Sequence, residues 1–144
     1  MTSDKFLELV FKKRKKKCDG GIESLTSIIK HYKGHIVAFN FTKIIDEDYY
    51  QSTSLEELNC IISNYGLIGA VCIQVDIPTI IEYNQPIVIN IASLKTTNHF
   101  VVCHSYTEQH GFYIIDPIND PYYASIAGLK SIWLDKKCLV FVSV

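Results

Sequence analysis

The sequence predicts an α+β fold, in which helices from the first half of the chain pack on an antiparallel sheet from the second half. Before Gly66, apolar residues recur at helical spacing, whereas after it short apolar runs alternate with turn residues. Helices followed by strands are typical of the segregated α+β class. The 144 residues, 48% of them apolar, can form a core unaided, and they exclude a disordered chain. We therefore expect one domain over residues 1–144.

The first elements predicted are a short amphipathic helix capped by Thr2 or Ser3 and a basic run at residues 12–17, together forming an N-terminal segment, 1–17. The overall net charge is −1, so the chain as a whole gives no case for nucleic acid as a partner. The basic run alone could contact anionic lipid, nucleic acid or an acidic partner, or it could be a solvated connector.

A second helix is predicted within residues 18–34. Asp19 is the expected N-cap, because its carboxylate can accept the free N–H groups of the first turn. Gly34 is placed to end the helix. The apolar face consists of Leu25, Ile28, Ile29 and Tyr32. A glycine turn leading into a buried helix can present a nucleophile or an anion site at the helix N-terminus, or simply begin a core helix.

The remaining elements follow from local patterns. Ser54 and Glu57 form a capping box, with the Glu57 carboxylate expected to reach the Ser54 backbone N–H, and this opens a helix that ends near Gly66. The other predicted elements are an extended piece (35–41), a loop (42–52), strands (67–75, 86–91, 99–104, 112–115, 122–126 and 139–144) and short helices (76–83 and 129–134).

Five scattered cysteines, Cys18, Cys60, Cys72, Cys103 and Cys138, include no C-x-x-C pair. Their odd number and spacing argue against a disulfide framework and against zinc, and we expect no metal or other cofactor. The cysteine usage predicts a reducing, cytosolic setting. The N-terminus lacks the apolar region of a signal peptide, and no apolar run is long enough to span a bilayer.

Two residues are candidates for acid–base chemistry. His99 opens a predicted strand and Asp116 closes the next one, so the hairpin between them would bring both to one edge of the sheet. A carboxylate there could hold an imidazole in one tautomer. The alternatives are a strand-end histidine bonded to backbone and an ordinary Asp-Pro turn at residues 116–117.

Four motifs occur in the order and spacing of one known family. They are Asp-Gly-Gly-x-x-Ser-Leu at 19–25, Thr-Ser-Leu-x-x-Leu at 53–58, Asn-His-Phe-Val-Val at 98–102 and Tyr-Ile-x-Asp-Pro at 113–117. Through them the chain resembles the C39 cysteine peptidases, papain-like domains at the N-terminus of bacterial ABC transporters that mature and export bacteriocins and related peptides. The resemblance implies a papain-like fold for almost the whole chain.

The resemblance also implies a catalytic pair, His99 and Asp116, but two other family residues are replaced. The family's nucleophilic cysteine falls at Gly20, and the glutamine that helps to bind the oxyanion falls at Arg14. Without a nucleophile the covalent route is lost, and an incomplete oxyanion hole removes further stabilisation of the transition state. His99 and Asp116 are therefore interpreted as a retained dyad without its partner.

Three functions are compatible with this pattern. In the first, a catalytically inactive domain lies at the cytoplasmic side of a bacterial membrane, beside the membrane and nucleotide-binding domains of an ABC exporter. There it binds the leader peptide or secretion signal of a peptide cargo. In the second, the domain is an active cysteine peptidase that cleaves double-glycine leaders with Cys18, two residues before Gly20, as nucleophile. In the third, it is a stand-alone scaffold, inhibitor or immunity protein. Whether the domain is an enzyme stays open at this point.

Overall fold

The computed structural model describes residues 20–34, 54–94 and 98–143. The predicted N-terminal segment 1–17, with Arg14, and the predictions for Cys18, for 35–41 and for 42–52 lie outside these ranges. In chain order the described elements are helix α1 (Gly21–Lys33), helix α2 (Leu55–Ile62), a 3-10 turn (Ser63–Tyr65), strand β1 (Leu67–Cys72), helix α3 (Ile77–Tyr83), strands β2 (Ile87–Asn90), β3 (Phe100–Thr107), β4 (Gly111–Ile115) and β5 (Tyr122–Ala124), helix α4 (Ile126–Ile132) and strand β6 (Cys138–Ser143).

The six strands form one antiparallel sheet in the order β1-β6-β2-β3-β4-β5. Together with the helices that pack on it, this sheet confirms the predicted α+β class. None of the described helices has the length and apolar character needed to cross a membrane.

Helices cover both faces of the sheet. Along β3, Phe100 and Val102 point into the core under α1 and α2, whereas Val101 and Cys103 point into a second core under α3 and α4. This alternation follows from the two-residue period of a strand. Because both faces are covered, all four residues of β2 are buried, which explains why its sequence reads as an apolar run.

Helix α1 is bounded by two glycines with left-handed backbone. Gly34 ends it with φ 76°, as predicted. The prediction of Asp19 as N-cap is wrong, because the N-cap is Gly20, with φ 82° and no side-chain cap. The first helical hydrogen bond runs from the Ser24 N–H to the Gly20 carbonyl at 2.9 Å, so the helix begins one residue later than its capping pattern suggested.

Helix α1 also carries a buried carboxylate in its first turn. Glu23 is only 5% exposed, and neither carboxylate oxygen has a hydrogen-bond partner among the described residues. Its place near the helix N-terminus favours negative charge there, which offsets part of the cost of burying it.

Side-chain caps fix the starts of the other helices. The Ser54 hydroxyl accepts the Glu57 N–H at 3.1 Å, and it donates to the Glu57 carboxylate at 3.4 Å, where a bond to the Ser54 backbone N–H had been expected. Helix α4 starts at Ile126, three residues earlier than predicted, because the Ser125 hydroxyl accepts the Gly128 N–H at 3.0 Å. The preceding strand accordingly ends at Ala124.

Candidate active site

His99 lies immediately before β3 and is 7% exposed. Its backbone is held by the end of β2: the His99 N–H donates to Oδ1 of Asn90 at 2.9 Å, and the His99 carbonyl accepts the Ile91 N–H at 2.9 Å. Both backbone polar groups are therefore satisfied, and the position of the imidazole is set by strand pairing.

Asn90 is a functional candidate that the sequence did not reveal. Its side chain is nearly buried and uses both polar atoms, accepting from the His99 N–H and donating to Oδ1 of Asn98 at 2.9 Å. The side-chain amide of Asn90 thus bonds to both Asn98 and His99, the two residues that precede β3. The available signal was a polar side chain directly after the apolar run 87–89, since a buried amide at a strand end needs partners.

Asp116 follows β4 and contacts the His99 ring, with Oδ2 2.9 Å from Nε2. The ring N–H deviates from the line between these atoms, so the contact is a close approach more than a directed hydrogen bond. The other Asp116 oxygen, Oδ1, accepts the N–H groups of Ile118 at 2.9 Å and Asn119 at 3.1 Å, and Oδ2 also accepts the Asn119 amide at 3.2 Å. The sequence offered an Asp-Pro turn as the alternative to a contact with His99. In the structure Asp116 takes part in both.

These contacts set the charge of the Asp116 carboxyl. Burial acts to raise its pKa, but the His99 ring, the Ile118 N–H and Asn119 outweigh burial and lower the pKa to about 2. A carboxylate beside Nε2 favours the proton on that nitrogen of His99. The other ring nitrogen, Nδ1, would then be the proton acceptor for any nucleophile.

Gly20 lies between the backbone segments that follow these two residues. A Cβ added to it would overlap the carbonyl oxygen of Phe100 and would come within 3.1 Å of Cγ of Pro117. Phe100 follows His99 and Pro117 follows Asp116. The position assigned to the nucleophile is thus beside the dyad, but it is closed tightly around a glycine.

Ser24, one turn further along α1, reinforces this approach. Its side chain is fully buried, and its hydroxyl donates to the Phe100 carbonyl at 3.2 Å. The first turn of α1 is therefore seated directly on the β3 backbone. The roles of Gly20, His99 and Asp116 stay predictions, and Arg14 and Cys18 lie outside the described residues.

Three exposed apolar residues lie on the connections that follow β2, β4 and α4, and we call them the apolar rim. Leu94, fully exposed, lies on the connection between Asn90 and His99. Ile118 is 43% exposed and its N–H donates to Asp116, while Leu134 is 54% exposed and its N–H donates to the Asn90 carbonyl at 3.2 Å. Within the described ranges, no group of three or more His, Cys, Asp or Glu side chains is arranged to hold a metal ion.

Replacing Asn90 should loosen the His99 segment. We expect Asn90→Ala to lower the free energy of unfolding by about 2 kcal/mol, because the His99 N–H and the Asn98 side chain both lose a partner. Asn98→Ala is the matched control and should cost less, since Asn90 then still accepts from His99. Urea denaturation measures both, and equal losses would contradict the assigned bridge.

The Asp116 carboxylate should make stability depend on acid pH. Its folded pKa of about 2 lies below the ordinary 3.8, so its contribution is complete above pH 4 and is lost as pH falls towards 2. Asp116→Asn should therefore be less stable than the natural chain by about 2 kcal/mol near pH 6, and the gap should narrow below pH 4. Urea denaturation at several pH values tests this; a gap constant with pH would refute it.

Comparison with known proteins identifies the family. The family model "Peptidase C39 family" matches residues 8–143. No curated protein matches the chain. Several solved structures do, all at an identity that speaks for the fold alone.

One is a double glycine motif protease from an AMS/PCAT transporter, crystallised with the leader peptide (20% identity, TM-score 0.67, covering 88% of this chain and 85% of that one). Another is the peptidase domain of Streptococcus ComA, a bifunctional ABC transporter of a quorum-sensing pathway (18%, 0.69, 88% and 92%). A third is the N-terminal peptidase C39-like domain of the toxin secretion ATP-binding protein from Vibrio parahaemolyticus (11%, 0.63, 88% and 98%). The papain-like fold is therefore confirmed, and the chain belongs to the peptidase C39 family.

Proposed function

We propose that this chain is a non-catalytic C39 domain that binds the leader peptide or secretion signal of a peptide cargo and presents it to an ABC exporter. The observation that carries the proposal is the close fit of Gly20 against Phe100 and Pro117. C39 chemistry requires a thiol at this position, and the space that a thiol would need is filled.

Residue 20 lacks the side chain that a nucleophile needs. Cysteine catalysis forms a covalent intermediate, and glycine cannot form one. A cysteine could not simply be restored, because Gly20 has a left-handed backbone, which costs other residues about 1–2 kcal/mol. Its Cβ would also overlap the Phe100 carbonyl. The helix position has therefore adapted to glycine.

The remaining dyad, His99 and Asp116, joins separate segments of the fold. The contact between His99 and Asp116 ties the start of β3 to the turn after β4, and Asn90 ties it to the end of β2. These contacts also fix the backbone of two members of the apolar rim, because the Ile118 N–H donates to Asp116 and the Leu134 N–H donates to the Asn90 carbonyl. The third member, Leu94, lies on the connection that leads to His99. Exposed apolar side chains on segments of fixed backbone suit the apolar residues of an amphipathic or extended peptide.

The structural relatives support a role in peptide export. One of them is a protease in complex with a leader peptide, and two others come from ABC transporters or secretion ATP-binding proteins. By analogy we assign this chain a peptide cargo as partner, along with the membrane and nucleotide-binding domains of an exporter. Its place would be the cytoplasmic side of a bacterial membrane. The analogy supports this assignment at the level of the family.

Binding without cleavage is the direct expectation. A fluorescent leader peptide ending in Gly-Gly should bind the domain, as measured by anisotropy, and should remain intact by mass spectrometry. Ile118→Glu should weaken binding about tenfold or more, because it places a charge in the apolar rim. Val142→Glu is the matched control: Val142 is 63% exposed but lies at the opposite end of the sheet, so affinity should be unchanged.

Other outcomes of this experiment favour the other two functions. Cleavage that is abolished by His99→Ala and by Cys18→Ser would identify an active peptidase with Cys18 as nucleophile. No binding, or equal effects of the two glutamate variants, would reject leader recognition at the apolar rim and favour a stand-alone scaffold, inhibitor or immunity role.

Restoring the family's cysteine should not restore activity. We expect Gly20→Cys to show no cleavage and to lower the free energy of unfolding by about 2 kcal/mol or more, from backbone strain and overlap with Phe100. Gly20→Ala adds a Cβ but no thiol. It should therefore lower the free energy of unfolding to a similar extent if backbone strain and overlap with Phe100 are the causes. Denaturation curves and a peptide cleavage assay provide the measurements. A stable, active Gly20→Cys would show instead that the rest of the site is intact.

A further inference from the structure

Two cysteines face each other at one end of the sheet. Cys72 ends β1 and Cys138 begins β6, and the two are direct partners in the antiparallel register. Direct partners point to the same face of a sheet, with Cβ atoms about 4.5–5.5 Å apart. The Cys72 thiol is close enough to contribute to the raised pKa of Cys138, and both thiols are free.

We propose that Cys72 and Cys138 are a modification site, where a low-molecular-weight disulfide converts the two thiols reversibly into a cross-strand disulfide. Cα atoms of direct strand partners lie about 4.5–5.5 Å apart, within the range that a disulfide bridges. The proposal is independent of leader binding and of the missing nucleophile.

The other described cysteines cannot take the place of either partner. Cys103 lies on β3, and β2 separates it from Cys138 on β6. Two strand spacings amount to about 9.5 Å, beyond the roughly 7 Å that a disulfide allows between Cα atoms. Cys60 lies on α2 and is exposed, so it can form an adduct with the reagent but has no facing thiol in the sheet.

The chemistry proceeds in two exchanges. Cys72 is the more exposed partner, and its thiolate attacks one sulfur of the reagent, forming a mixed disulfide and releasing one reagent thiol. The Cys138 thiolate then attacks the Cys72 sulfur and releases the second reagent thiol. Two protein thiols are oxidised, and the reagent disulfide takes up the two electrons and two protons. Burial and the neighbouring Cys72 thiol raise the pKa of Cys138 to about 12, so the second exchange is the slow one.

The bond would fasten an edge strand to its neighbour. Among the described strands, β1 lies at the edge of the sheet and pairs with β6 alone. Beyond the cysteines the two connections still touch, where the Val75 N–H donates to the Lys136 carbonyl at 2.9 Å. A bond between Cys72 and Cys138 closes a long loop of chain at this point, which restricts the unfolded state and holds β1 against fraying.

Oxidised glutathione is the probe. The folded chain is incubated with it, the remaining thiols are blocked by alkylation, and peptides are analysed without reduction. We expect a Cys72–Cys138 crosslinked peptide in most molecules, with Cys60 carrying glutathione only. The oxidised form should melt about 5 °C or more above the reduced form, and dithiothreitol should reverse the shift.

A displaced pair provides the matched control. In Cys72→Ser combined with Ala70→Cys, the new thiol stands opposite Val140, diagonal to Cys138, at about 7–8 Å, and should not crosslink. In a second variant with both native cysteines changed to Ser, Ala70→Cys and Val140→Cys restore a direct pair and should crosslink. The proposal is overturned if Cys72 and Cys138 of the natural chain stay alkylatable after oxidation, if Cys103 forms the bond, or if the diagonal pair crosslinks as fast as the natural one.

Discussion

The close approach of α1 to β3 is the constraint on which the candidate site depends. The Phe100 carbonyl receives the Ser24 hydroxyl and lies against Gly20, so the first turn of the helix rests directly on strand backbone. This contact fixes where α1 crosses the sheet, and the apolar face of the helix is then buried against β2 and β3. It also fixes the distance between residue 20 and the dyad, because Phe100 is the neighbour of His99.

The dyad is held by backbone and amide groups, and needs no nucleophile to persist. A buried carboxylate loses hydration, and it is stable only where hydrogen bonds satisfy its atoms. Asp116 has such bonds from Ile118 and Asn119, and the His99 segment has them from Asn90. The atoms that would orient a catalytic histidine therefore also join β2, β3 and the turn after β4. This structural role is sufficient to explain why both residues of the pair are present.

The sequence predicted the parts of the site that follow from neighbouring strands. The starts of strands and the short hairpin between β3 and β4 are local features. They predicted that His99 and Asp116 lie at one edge of the sheet. Asn90 was missed because its role depends on how β2 pairs with β3, which no local pattern specifies. Asp19 was chosen as N-cap for its chemistry, but the close packing against Phe100 requires a residue without a side chain at the turn, and Gly20 meets that requirement.

Membership of the C39 family fixes the fold, whereas chemistry depends on what stands at residue 20. An attacking sulfur needs room for its own atom and for a carbonyl carbon in front of it, within reach of His99. Here the Phe100 carbonyl and the Pro117 ring occupy the first part of that room. Introducing a side chain at residue 20 would therefore require the backbone at Gly20 or at Phe100 to shift, and the Phe100 carbonyl is also the acceptor of the Ser24 hydroxyl. The left-handed turn at Gly20 and the seating of the helix on Phe100 are thus one structural feature, and our proposal of peptide binding without cleavage rests on it.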